Sequence, residues 1–260
     1  MKEVLLQINN VTIGFLSGKQ AVKEVSFSIK EGETVALVGE SGCGKSILCR
    51  SIVGLLPSSS IVEEGTIVFD KEEITTMSEK QLQNIRGSKI GMVWQDPVRF
   101  LHPLIPIGKQ IIEGVCYQKK CTKKQAKKEA IALLETMGID NASERFLEYP
   151  YQFSGGQLQR IVMAAVMIQQ PKLLIADEPT TALDKETEQE IIKELQRLQD
   201  ERKMAMLLVT HDMAVAFELA HHIAVMSEGQ IIELGTKEQL LQRPECALTK
   251  KLVEVVKGCY

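Results

Sequence analysis

Apolar positions along this chain follow two periods. Thr34-Val35-Ala36-Leu37-Val38, Leu173-Leu174-Ile175-Ala176 and Leu207-Leu208-Val209 are short continuous apolar runs, the pattern of strands buried on both faces. Alternation at Val25, Phe27 and Ile29, ahead of the turn Glu31-Gly32, predicts a strand with one buried face, and Thr66 to Phe69 predicts another. Helical spacing covers Ser46 to Val53 and Leu158 to Ala165, and a mostly helical stretch between Gln95 and Ser154 includes Lys123 to Met137. After Asp177 the pattern alternates: helix from Glu186 to Gln199, strand from Met206 to Val209, helix from Met213 to Ala220, strand from Ile223 to Met226. The sum is an α/β fold with a core sheet, a β-rich start and a helical insert, uninterrupted by any internal repeat, low-complexity tract or obvious linker.

Candidate chemistry sits where these runs end. Gly39-Glu40-Ser41-Gly42-Cys43-Gly44-Lys45-Ser46 fits G-x-x-x-x-G-K-S between a predicted strand and a predicted helix. Glycines there let backbone amides wrap phosphates, and the helix start adds its positive dipole end. Gly39, Ser41, Gly42, Cys43, Gly44, Lys45, Ser46 and Ile47 are therefore the expected nucleotide-binding residues, Lys45 as the charge on the β- and γ-phosphates and Ser46 as a Mg²⁺ ligand. The second buried run delivers Asp177 and Glu178 to a strand's carboxyl end, where ligands bind in open α/β sheets. Consecutive strand residues point to opposite sides, so the two acids divide the work: Asp177 for the Mg²⁺ shell, Glu178 for the attacking water. Ser154-Gly155-Gly156-Gln157 opens another helix with bare amides and a small hydroxyl, a second anion-facing terminus.

In this order the motifs resemble those of the ATP-binding cassette (ABC) ATPases, over nearly the whole chain. That resemblance implies a P-loop NTPase fold with a core mixed sheet, an N-terminal antiparallel β lobe and a helical lobe carrying the signature. It also implies one domain over residues 1–260 with a helical subdomain inserted at about 96–165. In that family the signature of one subunit covers the γ-phosphate held by another, which would give Ser154, Gly155, Gly156 and Gln157 a role on a partner's ATP. By the same resemblance Gln95 is the Q-loop residue near Mg²⁺ and water, Asp184 lies in the D-loop at the dimer interface, and His211 is the switch histidine. Phe15 is a candidate to stack on adenine, with a core or surface reading equally open.

Trp94-Gln95-Asp96-Pro97, Leu101-His102-Pro103 and Ile107-Gly108-Lys109-Gln110-Ile111 are similar to the Q-loop region of the peptide and nickel importer branch, with His102 in place of the usual Asn and Pro106 atypical. Arg243 to Leu252 resembles that branch's later segment without its His-Pro-Tyr part, and the cysteine-rich tail of many peptide importers does not follow. This tilts the expected cargo towards nickel or a metal chelate. The implied partners are a second ABC ATPase subunit in a heterodimer, two transmembrane permeases and an extracytoplasmic solute-binding protein, with the chain peripheral on the cytoplasmic face of the membrane. The alternative is a soluble ABC ATPase acting on ribosomes or DNA.

Composition narrows this further. The 260 residues, 44% hydrophobic, suffice for a substantial core, and 31 basic against 34 acidic residues leave no whole-chain footprint for nucleic acid. Met1 to Ile8 carries an early acid and too short an apolar run for a signal peptide, and Ile161 to Ile168 falls far short of the roughly 20 residues that cross a bilayer. Six cysteines without CxxC or zinc spacing suggest free thiols. Cys43, beside Lys45 at a helix start, is expected to be the most reactive of them, against the alternative of an inert side chain turned inward. Lys119, Lys120, Lys123, Lys124, Lys127 and Lys128 recur at intervals of four, a stripe for an anionic partner or, as the better reading, a solvated helix face.

Overall fold

A computed structural model describes residues 2–118, 121–181 and 183–257. In chain order the strands are β1 (Val4–Phe15), β2 (Gln20–Lys30), β3 (Thr34–Gly39), β4 (Ser60–Phe69), β5 (Glu72–Glu73), β6 (Ile90–Val93), β7 (Leu173–Asp177), β8 (Ala205–Thr210), β9 (His222–Ser227) and β10 (Gln230–Thr236). The helices are α1 (Lys45–Ile52), α2 (Glu79–Ile85), α3 (Pro97–Phe100), α4 (Ile107–Gln118), α5 (Lys123–Thr136), α6 (Ala142–Arg145), α7 (Gly155–Met167), α8 (Lys185–Arg202), α9 (Met213–Leu219), α10 (Lys237–Gln242) and α11 (Ala247–Lys257). They form two compact units, one of residues up to Gln83 together with those from Leu198 on, the other from Asn84 to Arg197.

The first unit holds the predicted antiparallel β lobe, ordered β2-β1-β4-β5, and a mixed sheet in which β9 and β8 flank β3 in parallel while β10 pairs antiparallel with β9. Every residue of β3 and β8 is buried, which is why both read as unbroken apolar runs. β2 instead buries alternate residues, Val25, Phe27 and Ile29 among them, as a one-faced strand must.

The second unit pairs β6 with β7 in parallel and surrounds them with helices. α4 buries Ile107, Ile111 and Val115 at four-residue spacing, and α5 buries Ala126, Ala130, Leu133 and Leu134. α7 is buried nearly all round, from Leu158 to Met167, so the segment that opens it starts from the best-anchored helix of this unit.

The lysine stripe falls in part on α5. Thr122 caps this helix through a reciprocal pair with Gln125, so it begins at Lys123. Lys119 and Lys120 lie outside the described residues; Lys123, Lys124, Lys127 and Lys128 are exposed, and Lys127 lies 5.0 Å over the Phe146 ring.

The entry to β3 carries a pH-sensitive contact. Thr34 N–H donates to His221 Nδ1 at 3.0 Å, and His221 N–H donates to the Thr34 carbonyl at 2.9 Å. Desolvation and the charges of Lys2, Lys237 and His222 push the His221 pKa down, against a smaller opposing pull from Glu33, whose Oε1 stands 2.7 Å from His222 Nδ1. Protonation of Nδ1 would remove its capacity to accept. The unfolded chain takes that proton near pH 6.5 and the folded chain only below it. The contribution to stability is therefore complete above about pH 6.5 and is lost as pH falls from there through the folded value. It is limited to about 1 kcal/mol, the worth of one hydrogen bond. Thermal unfolding followed between pH 7.5 and 5 should show a steeper loss of Tm in the native chain than in His221→Gln, whose carbonyl accepts without titrating. Equal slopes would exclude this contact as a source.

Candidate nucleotide site

The phosphate loop forms where β3 gives way to α1. Gly44 ends it with φ 110° and ψ −4°, and stands as the N-cap of the eight-residue α1 without a side-chain cap hydrogen bond. A Cβ at Gly39 would lie 2.1 Å from the Met226 carbonyl oxygen, and one at Gly44 would lie 2.3 Å from that of Ala21. The backbone can approach β9 and β2 this closely only with glycine at both points.

Lys45 is buried, and its ammonium donates to the Gly39 carbonyl at 2.7 Å and the Glu40 carbonyl at 2.9 Å. The charge is thus held inside the loop's curve by the loop itself. Ser41, Gly42 and Ser46 are exposed, and Ile47 is half-buried. Cys43 does not behave as the electrostatic reading predicts. It is 8% exposed, and its sulfur sits 3.8 Å from Lys45 Nζ beneath Gly39. The inward alternative holds: the loop presents Cys43 through its backbone and hides the thiol.

The same unit brings His211 to the same edge of the sheet. Val38 and Thr210 are register partners on parallel β3 and β8, so the loop after Gly39 and the residue after Thr210 leave the sheet together. His211 is exposed there. Asp212 caps α9 by accepting from the Ala214 and Val215 amides at 2.8 and 3.4 Å, which fixes the chain on its far side. Phe15 is half-buried at the end of β1, where its N–H donates to the Lys19 carbonyl and closes the β1–β2 turn.

In the second unit Val93 and Ala176 are register partners on parallel β6 and β7, so Gln95 and the two acids emerge at one end. Asp177 is the last residue of β7 and is buried. Glu178 follows in the left-handed region, φ 50°. Its separation from Asp177 therefore comes from a sharp turn, not from the strand alternation expected: β7 has already ended. Gln95 Nε2 donates to Glu178 Oε2 at 3.0 Å, and Thr181 Oγ1 donates to the same oxygen at 2.8 Å. Thr181 was not picked out from the sequence; its only signal there is a hydroxyl three residues beyond a carboxylate, across the turn at Pro179.

α7 opens with a capping box in which the Gln157 amide donates to Ser154 Oγ at 3.3 Å and Ser154 N–H donates to Gln157 Oε1 at 3.1 Å. The two residues thus hold the helix start between them, with Gly155 and Gly156 supplying the first amides. A Cβ at Gly156 would press on Thr187 Cγ2 at 2.7 Å. Thr187 in turn donates its amide and hydroxyl to Asp184 at 2.9 and 2.8 Å, which holds that carboxyl below its ordinary pKa. Asp184 and the signature glycine accordingly lean on one side chain.

Residues 22–181 match the family described as ABC transporter. The chain belongs to the ABC transporter family. It is 41% identical over 255 residues to the dipeptide transport ATP-binding protein DppD of Bacillus subtilis, covering 96% of this chain and 76% of that one. It is also 41% identical to the oligopeptide transport ATP-binding protein OppD of the same organism, covering 92% of this chain and 68% of that one. A dimeric ATP-binding cassette solved in a post-hydrolysis state, bound to ADP and Pi, superposes with a TM-score of 0.81 at 28% identity, covering 90% of this chain and 99% of that one.

This ABC chain is an ATPase whose ATP hydrolysis is coupled to transport. The expected residues divide between the two units: Phe15, the loop from Gly39 to Ile47 and His211 in one, Gln95, Ser154 to Gln157, Asp177, Glu178 and Asp184 in the other. Among the described residues no helix is long and apolar enough to cross a membrane.

Proposed function

We propose that this ABC ATPase powers a peptide importer, acting as one domain whose helical subdomain, about residues 96–165, carries the signature. The observation that carries the cargo reading is the 41% identity to the dipeptide transport ATP-binding protein over 96% of the chain. Lys45 and the amides from Gly39 to Ile47 hold the phosphates of ATP, and Phe15 packs on the base. Glu178 polarises and deprotonates water, with Gln95 and His211 orienting it.

The residues fit Mg²⁺. Ser46 offers an exposed hydroxyl, Asp177 a carboxylate at a strand end and Gln95 an amide oxygen. Such a sparse oxygen set is what Mg²⁺ takes when phosphates and water complete its shell. When bound, the ion neutralises charge on the phosphate oxygens.

Ser154, Gly156 and Asp184 act on the ATP of a second ABC subunit, a different chain in this reading. Two permeases and an extracytoplasmic binding protein complete the machine, and the chain lies peripherally on the cytoplasmic side. Nucleic acid has no place in it.

The test is uptake by the assembled transporter reconstituted in vesicles with ATP inside. Labelled di- and oligopeptides should accumulate and should stimulate ATPase activity. Uptake of nickel alone would replace the peptide cargo with a metal one. ATPase activity stimulated by ribosomes or DNA, and indifferent to permeases, would overturn the transport reading.

A further inference from the structure

We propose that Thr181 is a positioning residue of the ATPase, its hydroxyl holding the Glu178 carboxylate in the orientation that polarises water; this rests on Glu178 acting as the base. A glutamate has three side-chain torsions, and its backbone here is in a region few non-glycine residues occupy. Something must fix both. Thr181 returns to Glu178 twice: its N–H donates to the Glu178 carbonyl at 3.3 Å, and its hydroxyl donates to Oε2 at 2.8 Å. The first contact closes the turn that carries the left-handed residue, and the second sets the carboxylate plane.

Gln95 meets the same oxygen from a different strand end, at 3.0 Å. The two contacts differ in kind. Gln95 is exposed and reaches across with a flexible side chain, whereas Thr181 is half-buried and β-branched, with a restricted χ1. The Thr181 contact is local, three residues along the chain, and does not depend on a second strand end. A carboxylate displaced by about 1 Å from its water can lose on the order of 10²-fold in rate, so a hydroxyl that prevents this affects turnover without touching the nucleotide.

Thr181→Val keeps the shape and removes the donor. In the full chain assembled with its transport partners, kcat should fall about tenfold or more while KM for ATP stays within about twofold, and Thr181→Ser should restore kcat. Thr181→Ala, free of the extra methyl contacts, should repeat the loss with an unchanged Tm. In a Glu178→Gln background, single-turnover hydrolysis should be indifferent to Thr181→Val. Normal kcat in both Thr181→Val and Thr181→Ala, failure of serine to rescue, or an equal further loss in the Glu178→Gln background would overturn the proposal while leaving Glu178 as the base. Native turnover by Glu178→Gln itself would remove the base and the proposal together.

Discussion

Glu178→Gln is expected to bind ATP as the native chain does and to hydrolyse it about 10² to 10⁴ times more slowly, a barrier higher by roughly 3 to 5 kcal/mol. The geometry separates the two effects. Glu178 lies beyond the end of β7 and is held by Gln95 and Thr181 at 3.0 and 2.8 Å, donors that a glutamine oxygen can still accept from. The substitution therefore changes basicity with little change in shape. The loop around Lys45 is internally tied by its own contacts to the Gly39 and Glu40 carbonyls. Equilibrium binding of ATP and single-turnover hydrolysis, measured on the same assembled transporter, should part company. A variant that turned over at the native rate would show that water is activated elsewhere.

Much of this arrangement is legible in the sequence, for a physical reason. β3, β7 and β8 are buried throughout, so between their end residues they are apolar, and the chemistry begins where the apolar run stops. The reading failed where side-chain direction depends on loop torsions or on contacts far along the chain. Cys43 stands beside Lys45 in sequence, yet the glycine turns around it direct the sulfur inward under Gly39. Glu178 was assigned a side by strand periodicity, but the strand ends one residue earlier. Thr181 has no motif of its own to announce it; only the turn at Pro179 brings its hydroxyl back to the acid.

Gly44→Ala should be strongly damaging to the phosphate loop, lowering Tm by about 5 °C or more and abolishing detectable ATP binding. Two costs combine. With φ at 110°, Gly44 occupies backbone space that a side chain rarely adopts, worth about 1–3 kcal/mol. The added methyl would also lie 2.3 Å from the Ala21 carbonyl oxygen and 2.9 Å from Met226 Cε. The methionine tip can move, but the carbonyl belongs to β2 and is held by its strand. Each kcal/mol lost shifts Tm by roughly 2–4 °C in a chain of this size, so the strain and the clash together account for the expected drop. Function should suffer more than stability, because relief of the clash must turn the first amides of α1 away from the phosphates they would bind. Gly42→Ala supplies the comparison within the same loop: its φ of 81° is also left-handed, but nothing lies within 4 Å of the added carbon. That variant should lose only the strain and retain measurable ATP affinity. Equal Tm and equal affinity in the two variants would mean that the approach of this loop to β2 does not constrain position 44.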